Sequence, residues 1–255
     1  MYIIHMFDPL AARQRWQNAC LVLFALALLL LMSLPADAQF QAERAIHPDE
    51  TLLDMGQYRL TVEQDGEPGT CDVVLFGYQN RRPGRWDNLS DTLLQIIPHR
   101  RHTVIGHKPG HMFHAESFWP DLLREPEIRI PLRHLERGLR SDILGIHFQG
   151  NGDRLHPRSM DVAEELLGWL AANPTVQLRI IGHANGADGS RSRAFYRKAS
   201  ERRATSLITW LVRHGIESDR LVAGGRGADA LLYPDPVYAW QHEANRRVEI
   251  EVLSH

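Results

Sequence analysis

Six basic residues crowd into the thirteen positions from Arg191 to Arg203: Arg191, Arg193, Arg197, Lys198, Arg202 and Arg203, against a single acid, Glu201. A guanidinium grips a carboxylate through two parallel N–H bonds, so such a run suits an anionic ligand. Just before it lies Gly182-His183-Ala184-Asn185-Gly186-Ala187-Asp188-Gly189, whose three glycines permit positive φ and let backbone amides approach a ligand. The competing readings are a solvated cationic helix face and a plain glycine-rich turn. Two other clusters invite chemistry. His99, His102, His107, His111 and His114 could hold zinc or copper, but Pro109-Gly110 interrupts them and no glutamate-paired histidine motif accompanies them, so an exposed loop is expected. Gly225-Arg226-Gly227-Ala228 fits a loose dinucleotide pattern, yet Pro234 and Pro236 occupy the stretch where a phosphate-binding helix would run. No G-x-S-x-G elbow occurs, and no cofactor is expected.

The elements that must position these residues are legible from periodicity. Ile143 and Gly145-Ile146-His147-Phe148 read as a first strand, and Pro157 opens a helix. Its Met160, Ala163, Leu166, Leu167 and Leu170 recur at helical spacing until Asn173-Pro174 stops it. Val176, Leu178 and Ile180 alternate as a second strand, residues 190 to 214 form a second helix ending at His214-Gly215, and Leu221–Ala223 and Val248–Val252 close the set. The order β-α-β-α-β-β predicts an α/β two-layer sandwich.

Five blocks in this half stand in a fixed order: Ile146-His147-Phe148, Gly182-His183-Ala184-Asn185, Ala199-Ser200-Glu201-Arg202-Arg203-Ala204, Gly225-Arg226-Gly227 and Asn245-Arg246-Arg247-Val248-Glu249. Through them residues 141–255 resemble the OmpA-like C-terminal domain family, the peptidoglycan-associating module of cell-envelope proteins. The resemblance implies a non-enzymatic protein that binds peptidoglycan non-covalently through the diaminopimelate of the stem peptide. In the family an elbow aspartate takes the ammonium and a helix arginine the carboxylate. The arginine falls on Arg203. The aspartate position holds Asn185, the neighbouring threonine position Ala184, and the family's helix asparagine aligns with Tyr196. The loop after Asn185 is one residue longer, which offers Asp188 as a replacement carboxylate. Asn in place of Asp exchanges a charged hydrogen bond for a neutral one and weakens a ligand roughly tenfold. A second implied reading keeps the fold as a protein–protein interaction module in an envelope assembly.

Residues 39–140 read as a small β-rich or irregular region, with Gln57–Val62 and Cys71–Phe76 expected to form a hairpin across Asp65-Gly66. An envelope partner is expected to engage this region. Residues 1–38 read as a signal peptide: Arg13 and Arg15, an apolar run from Cys20 to Met32, and Ala36-Asp37-Ala38 at the cleavage site. A run of that length is too short for a bilayer that wants about 20 apolar residues, so export to the periplasm, with outer-membrane association, is expected. Cleavage leaves Cys71 without an internal partner. The chain carries a formal net charge of −2, which speaks against a nucleic-acid partner.

Overall fold

The computed structural model describes residues 56–77, 83–98, 100–120, 123, 125–150, 152–186 and 191–255. The signal segment, His99, Asp188 and most of the loop after Asn185 lie outside them.

Strand β3 (Cys71–Phe76) decides the topology of the first half. Its Val73, Val74 and Leu75 are buried in succession, so both faces need cover, and such a strand belongs inside a sheet. It lies between β4 (Gly84–Leu89) and β6 (His102–His107), antiparallel to both. The expected hairpin with β1 (Gly56–Gln64) therefore does not form. Strand β1 alternates buried and exposed, as a half-covered strand should, and turns only onto the two-residue β2 (Glu67–Pro68). Its other neighbours are β5 (Asp91–Ile96), antiparallel, and β8 (Glu127–Leu132), parallel.

Strands β7 (His114–Phe118), β9 (Arg140–Ile143), β10 (Gln177–His183), β11 (Leu221–Gly227) and β12 (Val248–Ser254) join β3, β4 and β6 in the larger sheet. Its eight strands run in the order β11-β10-β12-β9-β7-β6-β3-β4. Position 140 is therefore crossed by a continuous sheet, although β7 and β9 meet at one register pair, Ala115 with Ile143. Alternation sends side chains from each strand to opposite faces. Val74, Ile105, Ala115 and Ile143 pack with helix α1 (Met160–Ala172), while Val73, Leu75, Val104 and Phe118 pack against Leu60, Val62 and Ile130 of the smaller sheet.

Helix α1 buries Val162, Ala163, Leu166, Trp169 and Leu170. Each of the larger apolar side chains among these contributes roughly 1.5–3 kcal/mol when taken from water. Trp169 is fully buried, packs on Phe113 with ring centroids 6.0 Å apart, and donates from Nε1 to the His111 carbonyl at 2.9 Å. Helix α2 (Arg193–Arg213) starts where Ser192 Oγ accepts from the Phe195 amide, and ends as His214-Gly215 suggested. Ile216 N bonds Leu211 O and Gly215 N bonds Val212 O, the paired bonds of a Schellman cap. Gly182 lets α2 reach the sheet, because a Cβ there would sit 1.9 Å from the Ser200 carbonyl oxygen. A short helix not foreseen from the sequence, α3 (Ala239–Asn245), precedes β12.

Two further expectations need correcting. The first strand of the second half is Arg140–Ile143 rather than a run to Phe148, because the chain turns at Gly145, whose φ of +108° a strand does not accommodate. The histidines do not form an exposed loop. His102 and His107 sit on β6 and His114 on β7; His102 and His111 are buried, and His102 and His107 stack on Phe118 and Phe113. Burial holds His102 below the ordinary imidazole range. Burial likewise pushes the Cys71 thiol up to about 12, so it is a core residue and a poor nucleophile.

Candidate functional site

Arg203 lies on the buried side of α2 and is only 5% exposed. Its Nε donates to the Gly152 carbonyl at 3.0 Å and its guanidinium rests 5.5 Å from the centre of the Phe148 ring. Nη1 is buried and finds no hydrogen-bond partner among the described residues. Burial, reinforced by the like charges of Arg246 and Arg202 and opposed by Asp153, brings this arginine down to about 10. It remains cationic at neutral pH. A buried cation with a spare donor is a ready receptor for a carboxylate.

Asn185 follows β10 and is half-buried. Asn245, fully buried at the end of α3, donates from Nδ2 to Asn185 Oδ1 at 3.0 Å. That contact turns the Asn185 amide nitrogen toward His242 Nδ1 at 2.7 Å, making the ring nitrogen the acceptor. Asn185 keeps one N–H and one lone pair for a ligand. Asn245 also spans the backbone of Tyr233, with Oδ1 accepting from its amide at 2.9 Å and Nδ2 donating to its carbonyl at 2.7 Å.

Ala184 is buried, and its amide donates to the Gly227 carbonyl at 2.8 Å. Tyr196 lies against Gly186, where a Cβ would meet its ring at 2.9 Å, so its ring packs on the loop that follows β10. Asn185 and Arg203 share no hydrogen bond. Their link runs through neighbours in sequence: Asn245 holds Asn185, and Arg246 bears on Arg203. Asp188 lies outside the described residues.

The other basic residues of α2 behave as a solvated face. Arg193 and Arg197 both pair with Asp229, and Arg202 pairs with Asp153. Sequence reasoning missed His242, Asn245, Arg246 and a contact from the first half, Arg101 to Glu243. Nearby His147 is driven down to about 4, chiefly by burial and next by the Arg101 charge. Asn245 and Arg246 stood in a recognised motif whose role there was only to mark the fold. Nothing in the sequence pointed to Arg101.

On the face of the sheet away from the helices, Asp142, His183 and Glu249 bring possible ligand atoms within 4.8 Å of one another, the one such group among the described residues. Arg247 holds Asp142 at 2.6 Å and Arg140 approaches Glu249 at 3.4 Å, so a divalent ion would have to displace positive charge already in place. The hydrogen bond from His183 holds the Glu249 carboxyl below its usual range.

Residues 147–246 match the model of the OmpA family, and this segment is an OmpA-family domain. Among solved structures, the chain is similar to the periplasmic domain of Helicobacter pylori MotB, with 14% identity over 59% of this chain and 80% of that one and a TM-score of 0.38. It is also similar to the peptidoglycan-associated lipoprotein of Burkholderia pseudomallei, with 13% identity, 42% and 85% of the two chains covered and a TM-score of 0.36. A third is an outer membrane protein of Borrelia burgdorferi, with 22% identity, 48% and 95% covered and a TM-score of 0.33. No curated protein matches the sequence. Among the described residues, no helix is long and apolar enough to cross a membrane.

Proposed function

We propose that this is a non-enzymatic envelope protein whose OmpA-family domain, residues 141–255, binds peptidoglycan through the diaminopimelate of the stem peptide. Arg203 holds a stem carboxylate and Asn185 accepts from the adjacent amine. The observation that carries this reading is the buried Arg203 guanidinium with an unpartnered Nη1, a charged donor that costs free energy until an anion meets it. The family match supports the same ligand class. The protein is exported by residues 1–38, resides in the periplasm in association with the outer membrane, and presents residues 39–140 to an envelope partner.

One observation favours a second reading, in which the domain has yielded wall binding to a protein partner. The Asn185 amide already commits one lone pair to Asn245 and one N–H to His242, and it lacks the charge an ammonium would seek. Co-sedimentation of the full mature chain with purified sacculi separates the two. Under the first reading wild type pellets, Arg203→Ala stays in the supernatant, and Asn185→Asp pellets at about tenfold lower protein concentration. Wild type that stays in solution while Asn185→Asp pellets would establish the second.

A further inference from the structure

The segment joining β11 to β12 carries Leu232, Val237 and Tyr238 at 42%, 78% and 61% exposure. Three large apolar side chains left in water within one short stretch are available to a partner. It is also aromatic. The Tyr238 and Trp240 rings lie within 6° of parallel with centroids 6.3 Å apart, and Tyr233 meets Trp240 edge-on at 5.1 Å.

These rings are held in place. Gln241 Oε1 accepts from the amides of both Val237 and Tyr238, at 2.7 and 2.9 Å. Asn245 fixes both backbone groups of Tyr233, and Pro234 and Pro236 restrict the chain between. A surface already ordered loses little freedom on binding. From Ala230 to Gln241 the one charged residue is Asp235, so neither a nucleic acid nor a strongly charged peptide is matched. The partner suited to flat, electron-rich ring faces with polar rims is a pyranose, whose C–H face carries the complementary positive edge.

We propose that Tyr238 and Trp240 form a platform on which sugar rings of a glycan strand stack, next to the peptide site. This rests on the peptidoglycan reading for the identity of the sugar, an N-acetylated β-1,4-linked hexosamine. Continuity supports it: Asn245, which anchors Tyr233, also donates to Asn185. The same side chain thus ties the segment that carries the rings to Asn185 of the proposed peptide site.

The test is titration of the full mature chain with the β-1,4-linked N-acetylglucosamine tetramer, followed by calorimetry and by saturation transfer from protein to sugar protons. Saturable binding is expected, weakened about tenfold in Tyr238→Ala and retained in Tyr238→Phe, which keeps the ring. Arg203→Ala should bind the tetramer like wild type while failing to pellet with sacculi, which keeps the two claims separate. Because Tyr238 is exposed, its replacement leaves the core intact, and an unchanged melting temperature confirms that. Absence of saturable binding by wild type, or equal binding by Tyr238→Ala, overturns the platform even if sacculus binding through Arg203 holds.

Discussion

Asn245 Nδ2 sits 3.0 Å from Asn185 Oδ1, across sixty positions of sequence, and this single contact orients the amide that follows β10. Asn245 spends both N–H groups and its oxygen on Tyr233 and Asn185 while fully buried.

Asn245→Ala should therefore cost about 2–4 kcal/mol, since it takes the partner from the part-buried amide and carbonyl of Tyr233 at about 1–3 kcal/mol each. Urea unfolding measures this, and a loss below about 1 kcal/mol would show that the network is easily replaced.

Two glycines should respond in opposite senses. Gly182→Ala drives a Cβ into the Ser200 carbonyl and forces α2 off the sheet, a loss of about 3 kcal/mol or more. Gly168→Ala, exposed in the middle of α1 with nothing within 4 Å, should stabilise by about 0.5–1 kcal/mol. Thermal melts of the two variants give the comparison directly.

Acid should destabilise the fold through its buried histidines. His147 titrates near 4 in the folded chain against an ordinary 6.5, and His102 is shifted the same way, so between those values the unfolded chain binds more protons. The stabilisation is complete above about pH 6.5 and drains away as pH falls toward 4. Glu249, lowered chiefly by its bond from His183, adds loss as pH drops below the usual glutamate range. Melting temperature should be flat from about pH 7 to 8 and decline from pH 6.5 to 4, with His147→Gln flattening part of the slope. A melting temperature constant across that acid window would contradict the assignment.

Residues 141–255 expressed alone should be markedly less stable than the full chain. The cut removes Phe113 from Trp169, the His111 carbonyl from the indole N–H, and the Gly110 amide from Asn173 Oδ1. Binding of a hydrophobic dye and a lowered melting temperature are the expected signs. A fragment as stable as the full chain would mean that the shared core adds nothing.

The sequence disclosed what is local and periodic. Helices α1 and α2, the cap at His214-Gly215 and strands β10 and β12 follow from spacing that one segment carries by itself. Strand β3 misled because a continuous apolar run says that both faces are covered without saying by what, and its neighbours are β4 and β6 rather than β1. The histidines misled because strand alternation can bury an imidazole that composition would place in water. Around the candidate site, Arg203 and Asn185 stand in blocks that sequence alone singles out, whereas His242 and Arg101 enter through contacts 57 and 142 residues apart, which no local pattern encodes.

The joint between β7 and β9 has a mechanical meaning. Strands β12 and β9 share four register pairs and β6 and β7 share five, but β7 and β9 share one. Tension applied between the two halves of the described chain would fall on that narrow junction, where few backbone bonds resist separation. The buried Phe113–Trp169 contact lies across the same line. The two halves are then riveted by side chains packed around α1 as well as stitched by the sheet.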